Sequence, residues 1–164
     1  MFNISQLTND DEYFTPKIAW QNIAHFLPRD KVIWECFYSP HSRSAEYLRE
    51  LGFNCVHEPV DFFAHTPADL NADYYVSNMP FSLKKEVFTR LKEVDKPFVM
   101  LVPTYCIQTK YFQDIFGDDT IQLILPYKKI QYESVTKNLP PRGCAFCSCY
   151  VCYKMGLEKD VILI

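Results

Sequence analysis

Short apolar runs alternate with segments of helical periodicity along most of the chain. The runs are rich in β-branched and aromatic residues, which is typical of buried strands. They predict strands over residues 32–34, 53–57, 74–76, 98–102, 121–125, 130–132 and 145–155. Apolar residues at helical spacing predict helices over residues 43–51, 82–94 and 104–116, and an earlier helix that ends at Pro28. Thr15 is the expected N-cap of that first helix, with Pro16 at its first position.

The order of these elements predicts the fold class. Strands that alternate with helices form parallel sheets with helices on both faces. The last two predicted strands follow each other without a helix, which indicates an antiparallel hairpin at one edge. We therefore predict an α/β fold with a doubly wound, three-layer, Rossmann-like sheet, mostly parallel with an antiparallel last strand. A single domain is expected over residues 1–164, with a flexible segment over residues 1–12.

Composition and charge narrow the classes of function. Of the 164 residues, 48% are hydrophobic and 23% are charged, as in globular domains. The net charge of −3 provides no global basic field, so binding to nucleic acid would depend on local patches. No apolar run approaches the roughly 18 residues of a membrane helix, and the N-terminus lacks a signal-peptide pattern. We therefore expect an intracellular, cytoplasmic protein without a membrane partner.

Residues 77–81 carry the most specific chemistry in the sequence. They follow an apolar run, so they lie at the carboxyl end of a predicted strand, where open α/β sheets bind their ligands. The Asn78 side-chain oxygen and the Met79 carbonyl can both accept hydrogen bonds from one planar NH2 group. Pro80 turns the chain, and Phe81 offers a ring for stacking a flat substrate. The alternative interpretation is a strand end, a proline turn and a packed aromatic residue.

The order of four landmarks resembles a known family. Phe14-Thr15-Pro16, Glu35, Asp61-Phe62 and Asn78-Met79-Pro80-Phe81 follow one another as in class I amino-methyltransferases that use S-adenosyl-L-methionine. The sequence looks most like the compact adenine-N6 DNA methyltransferases of viruses and phages. The predicted strand and helix order is also the sheet plan of class I methyltransferases. This resemblance covers the chain from about residue 11 to residue 102.

The resemblance implies roles for individual residues. Asn78 and the Met79 carbonyl would hold the target amine, and Phe81 would stack the base. Thr15 and Pro16 would lie beside the methionine carboxylate of the cofactor. Asp61 and Phe62 would contact its adenine. The further cofactor positions that the resemblance implies are Phe14, Glu35, Phe37, Ser39 and Glu58.

The loop after the first predicted strand departs from the family pattern. Glu35 is present, but the following segment has no glycine, whereas the family uses glycine to bring the backbone close to the cofactor. Ser39 is small enough to permit some approach, and Pro40 is not. A degenerate relative that acts as a binding or structural module is therefore an open alternative. An RNA base or a protein glutamine is an alternative acceptor.

The basic residues and the single predicted domain indicate which partners to expect. Lys84 and Lys85 follow the Asn78 segment and are predicted to contact substrate. They would form a basic rim together with Lys128, Lys129, Lys137 and Arg142. DNA is the expected partner, with RNA as the alternative. We expect no room for a target-recognition domain, so specificity would be loose, or a homodimer or a partner subunit would supply it.

Four cysteines near the C-terminus invite a zinc interpretation. They are Cys144, Cys147, Cys149 and Cys152. Structural zinc sites join two cysteine pairs across a longer loop. In a strand of period two, Cys147 and Cys149 would share one face, and Cys144 and Cys152 the other. We therefore predict no metal site and expect reduced core thiols, with zinc binding as the alternative.

Overall fold

The structure is a computed structural model that describes residues 13–134 and 146–164. The predictions for residues 1–12, Lys137, Arg142 and Cys144 lie outside the described residues. The strands are β1 (Tyr13–Phe14), β2 (Val32–Trp34), β3 (Asn54–Val56), β4 (Tyr74–Asn78), β5 (Phe98–Pro103), β6 (Ile121–Leu125), β7 (Glu133–Ser134), β8 (Ser148–Tyr153) and β9 (Val161–Leu163). The helices are α1 (Lys17–Ile23), α2 (Ser44–Glu50), α3 (Lys84–Val94) and α4 (Lys110–Phe116). Short 3₁₀ segments span Ala24–Phe26, Pro67–Leu70, Phe81–Leu83 and Thr104–Gln108.

The main sheet has seven strands in the order β3-β2-β4-β5-β8-β6-β9. All neighbouring pairs are parallel except the two that involve β8. This arrangement confirms the predicted fold class, an α/β fold with a mostly parallel, doubly wound, Rossmann-like sheet. The predicted antiparallel hairpin at one edge is wrong: the antiparallel strand β8 lies inside the sheet between β5 and β6, and the short strand β9 forms the edge, parallel to β6.

Helices cover both faces of the sheet and divide the core into two clusters. Residues of α1 and α2, such as Trp20 and Leu48, pack on one face against Ile33, Val76 and Leu101. Residues of α3 and α4 cover the other face, where they pack against Trp34, Tyr75, Met100 and Val151. Side chains alternate between the two clusters along each strand, as period two requires. The core is therefore the three-layer sandwich that the alternation predicts.

Several predicted elements need correction. Residues 130–132 do not form a strand, although Ile130 and Tyr132 are buried; burial of alternate side chains mimics a strand without joining a ladder. The paired residues lie just beyond, where β7 forms a separate two-stranded antiparallel sheet with β1. The segment predicted as one helix over residues 104–116 is a 3₁₀ turn followed by α4. Pro16, rather than Thr15, occupies the N-cap of α1, without a side-chain cap.

The connections place a ligand crevice at the carboxyl edge of the sheet. From β2 the chain runs outward to β3 and then returns to β4 on the other side of β2. In doubly wound sheets, ligands bind where the strand order reverses in this way. The residues that follow β2, β3 and β4 include Glu35, His57 and Met79. These three strand ends therefore define the region of the candidate site.

Candidate functional site

Glu35 ties together the carboxyl ends of three neighbouring strands. Its side chain is buried, and its Oε1 accepts a hydrogen bond from the hydroxyl of Ser77 in β4. Its Oε2 lies 2.5 Å from Nδ1 of His57, which follows β3. The same Nδ1 lies 3.0 Å from the Glu35 carbonyl oxygen, so it is shared between two acceptors. Glu35 Oε1 is therefore hydrogen-bonded by the chain itself, whereas Oε2 is in ion-pair contact with His57 and has no well-aligned hydrogen bond among the described residues.

The environment of His57 favours its charged form at neutral pH. Burial disfavours the imidazolium and lowers the pKa of His57, but the hydrogen bond and negative charge of Glu35 outweigh that penalty. The Ser39 carbonyl acts in the same direction, and the resulting pKa of His57 is about 8. The ring of Tyr38 stacks on His57 with 4.8 Å between centroids. A cationic imidazole thus balances the buried carboxylate at this edge.

The loop after β2 is filled by its own side chains. Cys36 and Phe37 are buried, and the Phe37 ring lies 4.9 Å from that of Phe62. Burial, together with the charge of Glu35, raises the pKa of the Cys36 thiol well above its usual value. Ser39 is partly buried, and its hydroxyl accepts from the His41 backbone N–H at 3.3 Å. The loop thus places Ser39 near the site and Phe37 in the core.

The predicted adenine contacts are only partly accessible. Phe62 has no exposed surface; its ring packs among Trp34, Phe37, Phe63 and Tyr75. A cofactor ring could contact Phe62 only if this aromatic cluster repacked. Asp61 Oδ1 accepts from the Phe63 backbone N–H at 3.0 Å. Glu58 is exposed, directly after His57, where its carboxylate can accept hydrogen bonds from a ligand.

Asn78 ends β4 with an unsatisfied acceptor. Its Oδ1 is buried and has no hydrogen-bond partner within the described ranges 13–134 and 146–164. Buried polar atoms are nearly always paired, and those that are not mark strain, an absent ligand or a functional role. Met79 is buried, and its backbone N–H donates to the Leu101 carbonyl at 3.1 Å, which holds the segment against β5. Pro80 is the N-cap of the following 3₁₀ turn.

Phe81 belongs to a cluster of aromatic rings beside this segment. Its centroid lies 5.0 Å from that of Phe146 and 5.8 Å from that of Tyr13. Tyr132 completes the cluster at 6.2 Å in an edge-to-face arrangement, and its hydroxyl lies 2.8 Å from the Ser148 hydroxyl. Phe81 is only partly buried, so it retains surface that a flat ligand can contact. The cluster therefore both packs Phe81 and fixes its orientation.

The N-terminal residues of the predicted cofactor site are divided between two places. Phe14 is partly buried in β1, and Thr15 is buried. Pro16 instead lines a groove of about 570 Å³ between α1 and the segment after β6. Lys128 and Lys129 line the same groove, so they lie with Pro16 rather than with Lys84. Lys84 and Lys85 are not among the residues that line this groove.

We call residues 77–81 the candidate segment. Of the two lysines predicted to contact substrate, Lys84 has the closer contacts with it. Its Nζ donates a hydrogen bond to the Phe81 carbonyl and lies 5.9 Å from the Phe81 ring centroid. Lys85 is exposed, and its backbone carbonyl accepts from Thr89 within α3. Lys84 is therefore the cation that the structure places beside Phe81.

Ser77 and His57 have contacts in the site that the sequence analysis does not assign. Ser77 is in the candidate segment, but its hydroxyl reaches Glu35 only because β4 pairs with β2. His57 directly follows a predicted strand, and this position at a strand end is the sequence feature that indicates a site residue. Tyr13 and Tyr132 belong to the aromatic cluster through long-range packing, which no local pattern reports.

The cysteines of β8 divide between the two faces of the sheet. Cys149 belongs to the core cluster under α3 and α4, and Cys152 to the cluster under α1 and α2. Cys147 is exposed just before the strand. One tetrahedral ion cannot be held by thiolates on opposite faces of a sheet. Among the described residues, no group of three or more His, Cys, Asp or Glu side chains could hold a metal ion.

Comparisons with known proteins add fold-level similarities. No protein-family model matches the sequence, and the comparison with curated proteins gives no match. A precorrin-6Y C5,15-methyltransferase from Geobacter metallireducens is 13% identical, with 90% of this chain and 97% of that chain covered and a TM-score of 0.45. A protein described as a predicted O-methyltransferase from Agrobacterium tumefaciens is 10% identical, with 81% and 64% covered and a TM-score of 0.35. Similarities this distant assign no activity to the chain.

The residues at the edge can be tested against the cofactor that the resemblance implies. The unpartnered Asn78 Oδ1 and the exposed Glu58 are acceptors for the amino and hydroxyl groups of a ligand. The buried Phe62 does not present the ring face expected for a cofactor contact. The exposed Glu58 therefore fits such a group, whereas a ligand reaches the buried Asn78 Oδ1 and the buried Phe62 only when neighbouring side chains move. None of the helices in the described ranges is long and apolar enough to cross a membrane.

Proposed function

We propose that this chain is an S-adenosylmethionine-dependent methyltransferase that acts on an exocyclic amine, adenine N6 in a nucleic acid. The observation that carries the proposal is the buried, unpartnered Oδ1 of Asn78 at the carboxyl end of β4. An amine N–H would satisfy this acceptor and thereby remove the cost of leaving it unpaired. The partly exposed ring of Phe81 follows on the same segment and suits a flat base.

The reaction assigns distinct tasks to the residues of the segment. Asn78 Oδ1 and the Met79 carbonyl would accept from the two N–H bonds of the amine and draw its lone pair out of conjugation. Phe81 would stack on the base and fix its plane. The cofactor would supply an electrophilic methyl group, with Glu58 and Thr15 as contacts. Because the amine is out of reach inside a duplex, the base must be flipped or presented on a single strand.

A specific observation favours a second candidate, a binding module that retains the fold without catalysis. Glu35 is hydrogen-bonded by Ser77 and in ion-pair contact with His57, and Phe62 is fully buried. A chain that has lost the cofactor would fill the vacated space in this way. Calorimetric titration with S-adenosylhomocysteine separates the two candidates. Binding supports the enzyme, and no heat at millimolar ligand supports the module.

The decisive test of catalysis pairs two asparagine variants. Asn78→Ala should lower N6-methyl transfer to an adenine oligonucleotide by about 10² to 10³, because positioned polar groups contribute on that order. Affinity for S-adenosylhomocysteine should stay near the wild-type value. Asn54→Ala is the matched control, since Asn54 is an exposed strand residue away from the segment. Methyl transfer by Asn78→Ala at the wild-type rate would exclude the catalytic role.

A further inference from the structure

Tyr105 is an exposed tyrosine beside the candidate segment, and it has no role in the proposed reaction. Tyr105 lies in the 3₁₀ turn that directly follows β5, the strand paired with β4. It is 52% exposed, although most aromatic residues of the chain are buried in the core. Its ring stacks on no other aromatic ring within the described parts of the chain. Packing therefore does not explain its position at the carboxyl edge.

A single cation lies between Tyr105 and Phe81. Lys84 Nζ is 5.6 Å from the Tyr105 ring centroid and 5.9 Å from the Phe81 ring centroid. Its hydrogen bond to the Phe81 carbonyl fixes the ammonium in this place. Both distances are within the range of a cation–π contact, so the three side chains form one unit. The unit thus joins two aromatic rings to one ammonium group in the segments that follow β4 and β5.

This unit matches the chemistry of two successive nucleotides. Neighbouring nucleotides carry two flat bases and share one phosphate, and proteins bind single strands by stacking bases on aromatic rings beside cations. We propose that Tyr105 stacks the base next to the acceptor base and that Lys84 contacts the phosphate between them. This subsite rests on the proposed function, in which Phe81 contacts the acceptor base, and it identifies the substrate as single-stranded nucleic acid.

The net charge of the chain favours single-stranded over double-stranded nucleic acid as the ligand. Duplex binding depends on many phosphate contacts made by a basic surface. The net charge here is −3, and Lys128 and Lys129 line the groove beside α1, which Lys84 does not line. One fixed cation between two rings offers few phosphate contacts and much stacking surface. Stacking also requires bases that are free of their own neighbours, as they are on a single strand.

The test measures binding of a labelled adenine-containing single strand by fluorescence anisotropy. Tyr105→Ala should weaken binding by about 5- to 160-fold, because stacking of one base on an aromatic ring contributes about 1–3 kcal/mol. Tyr105→Trp should preserve binding because it keeps a flat ring. Tyr127→Ala is the matched control: Tyr127 is 82% exposed and has Lys128 Nζ 5.4 Å from its ring, in the groove beside α1. Equal losses in Tyr105→Ala and Tyr127→Ala would overturn the proposal.

Salt dependence tests the role of Lys84. Lys84→Gln should reduce the slope of log affinity against log salt concentration by about 0.7, the value for one phosphate contact on a single strand. Lys128→Gln should leave the slope unchanged, and a wild-type slope in Lys84→Gln would contradict the phosphate contact. Binding of S-adenosylhomocysteine without any binding of the oligonucleotide would overturn this inference and the nucleic-acid acceptor, and would leave cofactor-dependent methyl transfer to another amine standing. Oligonucleotide binding that depends on Tyr105, without cofactor binding, would support this inference and contradict the methyltransferase proposal.

Discussion

His57 Nδ1 lies 2.5 Å from Glu35 Oε2, so that a histidine following β3 neutralises a buried carboxylate following β2. The pair sits at the strand ends where the chain reverses its order in the sheet. Ser77 of β4 donates to the other carboxylate oxygen. Three strands are therefore held in register at the edge that carries the candidate site. The stability of this edge should depend on the proton of His57.

Stability should fall as the pH rises through 8. The folded-state pKa of His57 is about 8, above the usual value of 6.5, so the proton is held more tightly in the folded chain. The resulting stabilisation is complete below pH 6.5 and is lost as the pH passes the folded-state pKa. A difference of this size corresponds to about 2 kcal/mol. Thermal unfolding at pH 6 and pH 9 should show a Tm lower by about 4–8 °C at the higher pH.

His57→Gln is the control for this pH dependence. The glutamine cannot carry a charge, so the variant should be less stable than wild type at pH 6 and should lose little more by pH 9. Burial raises the pKa of Cys55 and of Cys152 to about 12, so these thiols do not titrate in the tested range. A wild-type Tm that stays constant from pH 6 to pH 9 would show that the pair does not contribute as described.

Ser77→Ala should destabilise the fold. The Ser77 hydroxyl is fully buried, and its removal leaves Glu35 Oε1 without that donor. An unsatisfied buried polar atom costs about 1–3 kcal/mol in the free energy of unfolding. Urea denaturation measures the loss. In a double-mutant cycle with Glu35→Gln the cost of Ser77→Ala should shrink, and additive losses would argue against a direct interaction.

Asn78→Ala, unlike Ser77→Ala, should change the stability of the fold only a little. Because Asn78 Oδ1 makes no hydrogen bond within the described residues, its removal breaks none there and should change the free energy of unfolding by less than about 1 kcal/mol. Denaturant unfolding of Asn78→Ala and Ser77→Ala side by side measures the contrast. A loss in Asn78→Ala as large as that in Ser77→Ala would indicate a structural role for Asn78.

Phe81→Ala should lower stability as well as substrate binding. The ring makes edge-to-face contacts with Phe146 and Tyr132, and such pairs contribute about 0.5–1.5 kcal/mol each beyond burial. We therefore expect a loss of about 1–3 kcal/mol in urea denaturation. Tyr127→Ala should stay within about 0.5 kcal/mol of wild type, because Tyr127 is 82% exposed. Equal stability of the two variants would show that the aromatic cluster does not stabilise the edge.

A strong chelator should leave the Tm unchanged. Cys149 and Cys152 lie in core clusters on opposite faces of the sheet, so they cannot bind the same ion. Elemental analysis of the purified protein gives a second measurement. One equivalent of tightly bound zinc, together with a Tm that falls when the metal is removed, would contradict this arrangement of β8.

Local pattern accounts for much of the fold. The apolar runs at β2, β4 and β5 and the helical spacing in α3 predicted these elements at nearly their observed bounds. Patterns failed where burial does not imply pairing, as at Ile130 and Tyr132, which are buried outside any strand. They also failed at β9, a run of three residues whose strand character comes from pairing with β6.

The sequence by itself determined that Glu35 and Asn78 stand at the ends of buried strands, because apolar runs and the residues that follow them can be recognised locally. Only the tertiary structure decided that β3 and β4 flank β2, and hence that His57 and Ser77 both reach Glu35. It likewise brought Tyr13, Tyr132 and Phe146 around Phe81 and placed Lys84 between Phe81 and Tyr105. The physical reason is that periodicity reports which face of an element is buried. Which strands become neighbours depends on the packing of the whole chain, and that choice assembled the candidate site.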